Sequence, residues 1–164
     1  MSEGPSYTPF LDLLNETLHE QGGALYRAGV AEIEAFLPRV RRQLGADLPP
    51  DYAHFLREAN GFLYSGSCFY ALDEENEADQ EIPGLIAKNL SLGVLFKART
   101  PYLILGESDL WLYAHHAPSG TYHALWKDRH ESIEQFSDFS EMMENALKEA
   151  LGIPLDEAAG AELP

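Results

Sequence analysis

Leu48-Pro49-Pro50-Asp51-Tyr52-Ala53-His54-Phe55-Leu56-Arg57-Glu58-Ala59-Asn60-Gly61 reads as one short helix with both ends written into it. Proline fits the first helical turn, where the N–H it lacks would have no intrahelical partner. Asp51, in the same turn, meets the positive end of the helix dipole. Tyr52, Phe55, Leu56 and Ala59 fall at i, i+3, i+4 and i+7, a single apolar stripe. Asn60 and Gly61 then supply residues that tolerate the positive φ a helix C-terminus often adopts. The stretch predicts a short helix buried on one face, followed by a turn.

Upstream, Thr8-Pro9 reads as an N-cap with proline at the first helical position. Phe10, Leu11, Leu13, Leu14 and Leu18 repeat at helical spacing until Gly22-Gly23. A second amphipathic stretch runs from about Val30 to Leu44. Pro38 lies inside it and predicts a kink or two consecutive short helices.

Downstream, Phe62-Leu63-Tyr64 and Cys68-Phe69-Tyr70-Ala71 flank Ser65-Gly66-Ser67, so this region is two strands around a turn or one strand bulged at Gly66. Ile82 to Leu95 has helical spacing, weakened at its start by Pro83 and Gly84. Tyr102 to Leu105 is an apolar run suited to a buried strand, and Gly106-Glu107-Ser108-Asp109 reads as a turn. Leu110, Leu112 and Ala114 alternate with Trp111, Tyr113 and His115. Ala117-Pro118-Ser119-Gly120 has turn chemistry, and Tyr122, Ala124 and Trp126 alternate on a returning strand. Ser137 or Asp138 caps a last helix with Glu141 in capping-box position, and Phe139, Met142, Met143, Ala146, Leu147 and Ala150 form its buried stripe. Gly152 and Pro154 stop it. The pattern predicts an α+β fold, an antiparallel meander with helices packed against it.

The chain has 164 residues, one domain by size, and 45% hydrophobic content, which suits a folded globule. No apolar run approaches the ~20 residues a membrane span needs. The N-terminus lacks the basic and apolar regions of a signal peptide. The single cysteine, Cys68, cannot form an internal disulfide and sits in an apolar run, as a buried structural thiol does. Together these predict a cytoplasmic protein. A formal net charge of −16 opposes binding to nucleic acid or anionic membrane and favours a basic partner, unless acidity serves only solubility.

Three segments, in order, resemble the SUKH superfamily of bacterial immunity proteins and relatives of a yeast cell-wall regulator. They are Leu48 to Gly61, then Tyr102 to Asp109 with Trp111 to Tyr113, then Phe136-Ser137-Asp138-Phe139. The resemblance spans roughly residues 30 to 151 and is carried by Leu48, Pro49, Asp51, Asn60, Gly61, Gly106, Glu107 and Asp109 as fold positions. It implies the same α+β arrangement in a domain at 30–154; the N-terminal helical extension at 1–29 departs from a minimal member, and the small, acidic residues 155–164 read as a flexible tail. It also implies a non-enzymatic protein-binding domain, an immunity protein that neutralises a cognate toxin such as a basic nuclease. A regulatory or scaffold module is the alternative, and an uncharacterised hydrolase is the third reading.

Asp73, Glu74, Glu75, Glu77, Asp79 and Glu81 place six carboxylates in nine residues with no base among them. The run reads either as a solvated loop or as an electrostatic docking surface. Neutralising Asp73, Glu74, Glu75 and Glu77 is expected to slow partner association with little change in stability. Arg39, Arg41 and Arg42 form a small basic cluster. Glu107, Asp109 and Trp111 are further partner-binding candidates, against the plainer reading of a strand-connecting turn beside a core ring. His115, His116, His123 and His130 crowd one region, and a turn at Pro118-Ser119 would bring His116 near His123. Recurrent zinc spacings are missing, and adjacent His115 and His116 point to opposite faces of a strand. Ser65, Ser67, Cys68 and Ser108 lie in no nucleophile motif. The sequence therefore predicts no catalytic residue, no metal and no cofactor.

Overall fold

The computed structural model describes residues 5–74, 80–93, 102–129 and 131–154. Among these it forms five helices and one six-stranded sheet: α1 (Thr8–Glu20), α2 (Val30–Leu44), α3 (Pro50–Glu58), β1 (Phe62–Tyr64), β2 (Ser67–Phe69), α4 (Leu85–Leu92), β3 (Tyr102–Glu107), β4 (Trp111–His116), β5 (Thr121–Trp126), β6 (Ser132–Phe136) and α5 (Phe139–Leu151). The strands lie in sequence order and every neighbouring pair is antiparallel. This is the meander with packed helices that alternation and helical spacing predict.

The α3 stripe is the anchor. Tyr52, Phe55, Leu56 and Ala59 are fully buried, and each large side chain contributes on the order of 1.5–3 kcal/mol of transfer free energy. Phe55 packs on Phe69 of β2, and Tyr52 and Phe55 pack on Phe139 of α5. The buried Tyr52 hydroxyl donates to the Tyr70 carbonyl at 2.6 Å, so α3 also fixes the chain leaving β2. Phe139 opens α5, which Asp138 caps by accepting from the Glu141 N–H at 2.9 Å. Tyr7, at the start of α1, packs edge-on against both Phe55 and Phe139. Residues 5–20 thus share the core of the remainder.

Several local expectations are corrected. Thr8 is the first helical residue rather than the cap, which falls on Tyr7. Helix α2 runs through Pro38 as one element rather than two short helices, because the proline and Glu34, whose carbonyl loses its partner, are both on the solvent side. Among Asn60 and Gly61, only Gly61 has positive φ. Asn60 instead accepts from the Leu72 N–H through its side chain. Gly106 and Glu107 extend β3 instead of turning, since they pair with Phe69 and Cys68 of β2. Helix α4 starts at Leu85, after Pro83, and ends at the left-handed Gly93; Val94 and Leu95 lie outside the described residues. Strand β6 has no counterpart in the sequence reading, because only Phe136 of its five residues is buried and an edge strand need not alternate.

A two-residue turn, Ser65-Gly66, joins β1 to β2 with both residues at positive φ, as a tight hairpin requires. The pairing places β1 at one edge of the sheet and β6 at the other.

Candidate functional site

Those predicted partner-binding residues that lie among the described ones do not form one patch. Asp73 is buried, and its carboxylate accepts from the N–H groups of Ile86 at 2.7 Å and Ala87 at 2.9 Å. These donors belong to the first turn of α4 and have no partner within the helix. Asp73 is therefore a helix cap supplied from a distant position, and Arg39 of the basic cluster donates to its carbonyl. Arg41 is paired with Asp47 on the surface. Glu74 and Glu81 are exposed. Glu75, Glu77 and Asp79 lie outside the described residues.

Glu107 is largely covered and bridges two bases, Lys88 at 3.3 Å and Lys127 at 3.4 Å. Its charge is thus locally compensated. Asp109 is exposed, with its carboxylate against the Ser65-Gly66 turn, where a Cβ on Gly66 would come within 2.8 Å of it. Ser108 fulfils the plain turn reading: its buried hydroxyl faces the Leu110 and Trp111 N–H groups, each at 3.4 Å. Trp111 is half-buried. Its indole N–H donates to the Tyr113 hydroxyl at 2.9 Å, which in turn donates to Glu149. The Trp126 ring meets it edge-on, so it is held in place instead of projecting freely.

Glu74 and Glu81 do come together, in a cleft of about 650 Å³ beside β1. One wall is the segment between α1 and α2, including Leu25 and Tyr26; the other is formed by Leu63 of β1 and Ile82. Tyr26 is 74% exposed and Leu63 48% exposed, unusual for large apolar side chains. Among the described residues, no Lys, Arg or His lines this cleft. The wall is held from both sides: the Asn60 N–H donates to the Tyr26 carbonyl at 2.6 Å, and the Ala28 N–H to the Leu56 carbonyl at 2.9 Å. Sequence reasoning missed Tyr26 and Leu63, since neither belongs to a motif and their proximity comes from the α1–α2 connection folding back on the end of α3.

The histidines form a polar chain. His116 Nδ1 lies 2.6 Å from Ser119 Oγ, which lies 2.6 Å from Thr121 Oγ1. Thr121 Oγ1 is 2.8 Å from His123 Nε2, and His123 Nδ1 is 2.8 Å from Ser132 Oγ. His116 and His123 approach across the ladder with ring centroids 5.8 Å apart, and the Tyr102 ring packs on both. His115 turns to the opposite face, against Tyr122. His130 lies outside the described residues. Among the described residues, no group of three or more His, Cys, Asp or Glu side chains is placed to hold a metal ion. Burial pushes the Cys68 thiol up to about 12, so it is protonated at neutral pH and a poor nucleophile.

Burial, reinforced by the neighbouring His116, lowers the proton affinity of His123, and burial lowers that of His115. A depressed imidazole means the unfolded chain takes up its proton first as pH falls. The stability contribution is therefore lost on acidification below the ordinary histidine value near 6.5. Denaturant unfolding between about pH 8 and 5 should show declining stability over that window, with a shallower slope in His123→Gln. An unchanged slope in that variant would place the effect elsewhere.

No helix of the described residues is long and apolar enough to cross a membrane. In comparisons with known proteins, no family model matches this chain and no curated protein matches it.

Proposed function

We propose that this chain is a non-enzymatic, SUKH-like protein-binding domain, an immunity protein that holds a cognate toxin inactive in the cytoplasm of the cell that makes it. The toxin class that best suits it is a nuclease with a basic substrate-binding surface. The observation that carries this reading is the cleft beside β1, which joins exposed Tyr26 and Leu63 to Glu74 and Glu81 with no base among the described residues that line it. Aromatic and aliphatic anchors supply affinity, and surrounding charge supplies steering and partner choice. The net charge of −16 adds long-range attraction toward a basic surface. The order of the three resembling segments supports the family assignment, and the α+β meander is the architecture that assignment implies.

The test takes any nuclease domain encoded beside its gene and titrates it against the purified chain. A 1:1 complex that blocks nuclease activity is expected, with association slowed by at least about tenfold at 0.5 M salt because surface charge is screened. At low salt, Glu74→Gln with Glu81→Gln should slow association while leaving the melting temperature unchanged. Failure to bind or inhibit the neighbouring toxin, with stable capture of a non-toxin protein, would instead establish a scaffold or regulatory module.

A further inference from the structure

We infer that the open edge of β1 receives one extended, cationic segment of the protein partner as an added strand. The inference rests on the protein-binding reading above and names where and how the partner is held.

Among the described residues, the pairing pattern determines which backbone groups are free. The Tyr70 N–H donates to the Leu105 carbonyl, and Cys68 pairs with Glu107, so even-numbered residues of this stretch face β3. Ser67 and Phe69 therefore face β1, where they pair with Tyr64 and Phe62. Leu63, between those two, turns its N–H and C=O away from β2 toward the edge of the sheet. An edge strand with unpaired backbone groups is a template for another chain. Here the template is short, which limits indiscriminate pairing and leaves affinity to side chains.

Those side chains specify the occupant. Leu63 projects its own exposed side chain at this edge, and Tyr26 stands across the cleft with its ring 74% exposed. Glu74 and Glu81 line the same space, with no base among the other described residues of its lining. A strand alternates its side chains between two faces. A segment that interleaves apolar and basic residues can thus offer the first to Tyr26 and Leu63 and the second to the carboxylates. An acidic segment would meet repulsion, and a helix could not use the Leu63 backbone groups.

The probe is a fluorescently labelled, end-capped heptapeptide alternating arginine and valine, followed by anisotropy and by amide hydrogen exchange of the intact chain. Binding with slowed exchange at the Leu63 N–H is expected. N-methylation at alternate peptide positions should weaken binding at least about fivefold by removing edge hydrogen bonds. A glutamate–valine peptide should show no binding. Tyr26→Ser should weaken binding at least about fivefold, and because that side chain is exposed the variant keeps its fold. Leu63→Pro removes the outward N–H and should weaken peptide binding at least about fivefold; Tyr26→Ser decides the matter where the proline variant fails to fold. Equal binding of the N-methylated peptide, or undiminished binding to Tyr26→Ser, would overturn the inference. A toxin domain that binds without slowing Leu63 exchange would also overturn it while leaving the protein-binding function standing. Absence of binding by both the toxin domain and the peptide would overturn both.

Discussion

Gly61→Val should abolish the folded state or cost at least about 4 kcal/mol, one of the largest effects available to a single substitution here. Gly61 has φ +77, and a Cβ there would lie 2.5 Å from the Phe69 carbonyl oxygen, 3.1 Å from the Ala71 nitrogen and 3.0 Å from Ile82 Cγ2. The first two are backbone atoms of the β2 stretch and cannot rotate aside. The position is the hinge at which α3 gives way to β1, so relief would require separating the helix from the sheet it anchors. Gly93→Ala is the control. Its φ is +70 but nothing lies within 4 Å of its Cβ, so only backbone strain remains, costing about 1 kcal/mol. Thermal unfolding of the two variants separates collision from strain. Similar melting temperatures would refute the close approach at Gly61.

Asp73→Ala should cost about 2–4 kcal/mol, because it leaves the Ile86 and Ala87 N–H groups without their charged acceptor. The loss should spread. Helix α4 carries Asn89, which is buried and holds β3 through the Ile104 carbonyl at 2.8 Å and N–H at 2.9 Å, beyond the end of β2. Amide exchange should accelerate at Ile86 and Ala87 and also at Ile104. Asp73→Asn keeps one acceptor oxygen and should lose less. Stability unchanged in Asp73→Ala would show that water replaces the carboxylate. A four-fold neutralisation that includes Asp73 therefore mixes a folding defect with an association effect, and Glu74 with Glu81 is the cleaner pair.

Asp73 shows why its role was illegible in the chain order. The N–H groups that it accepts from lie 13 and 14 residues further on, past Pro83, so it looks like the first member of an acidic run. Glu107 has the same character: in sequence it is a turn acid, in space the link between Lys88 of α4 and Lys127 after β5. Helices α3 and α5 were readable because stripe, cap and stop lie within a few turns of each other. The β4–β5 hairpin was readable because alternation and turn chemistry agree, and its register brings His116 and His123 together as expected. Strand β6 was not, since a polar edge strand carries no periodic burial signal.

Composition and local pattern by themselves determined an acidic α+β chain with helices first, an antiparallel meander, and a capped final helix. Those features depend on interactions between residues a few positions apart, which the chain order displays directly. Tertiary structure alone decided which carboxylates are free, which one caps a remote helix, and that Tyr26, Leu63, Glu74 and Glu81 share one cleft. Burial and hydrogen-bond partnership are properties of neighbours in space, and for these residues the neighbours are brought together only when the α1–α2 connection docks on the end of α3 and α4 docks on β3.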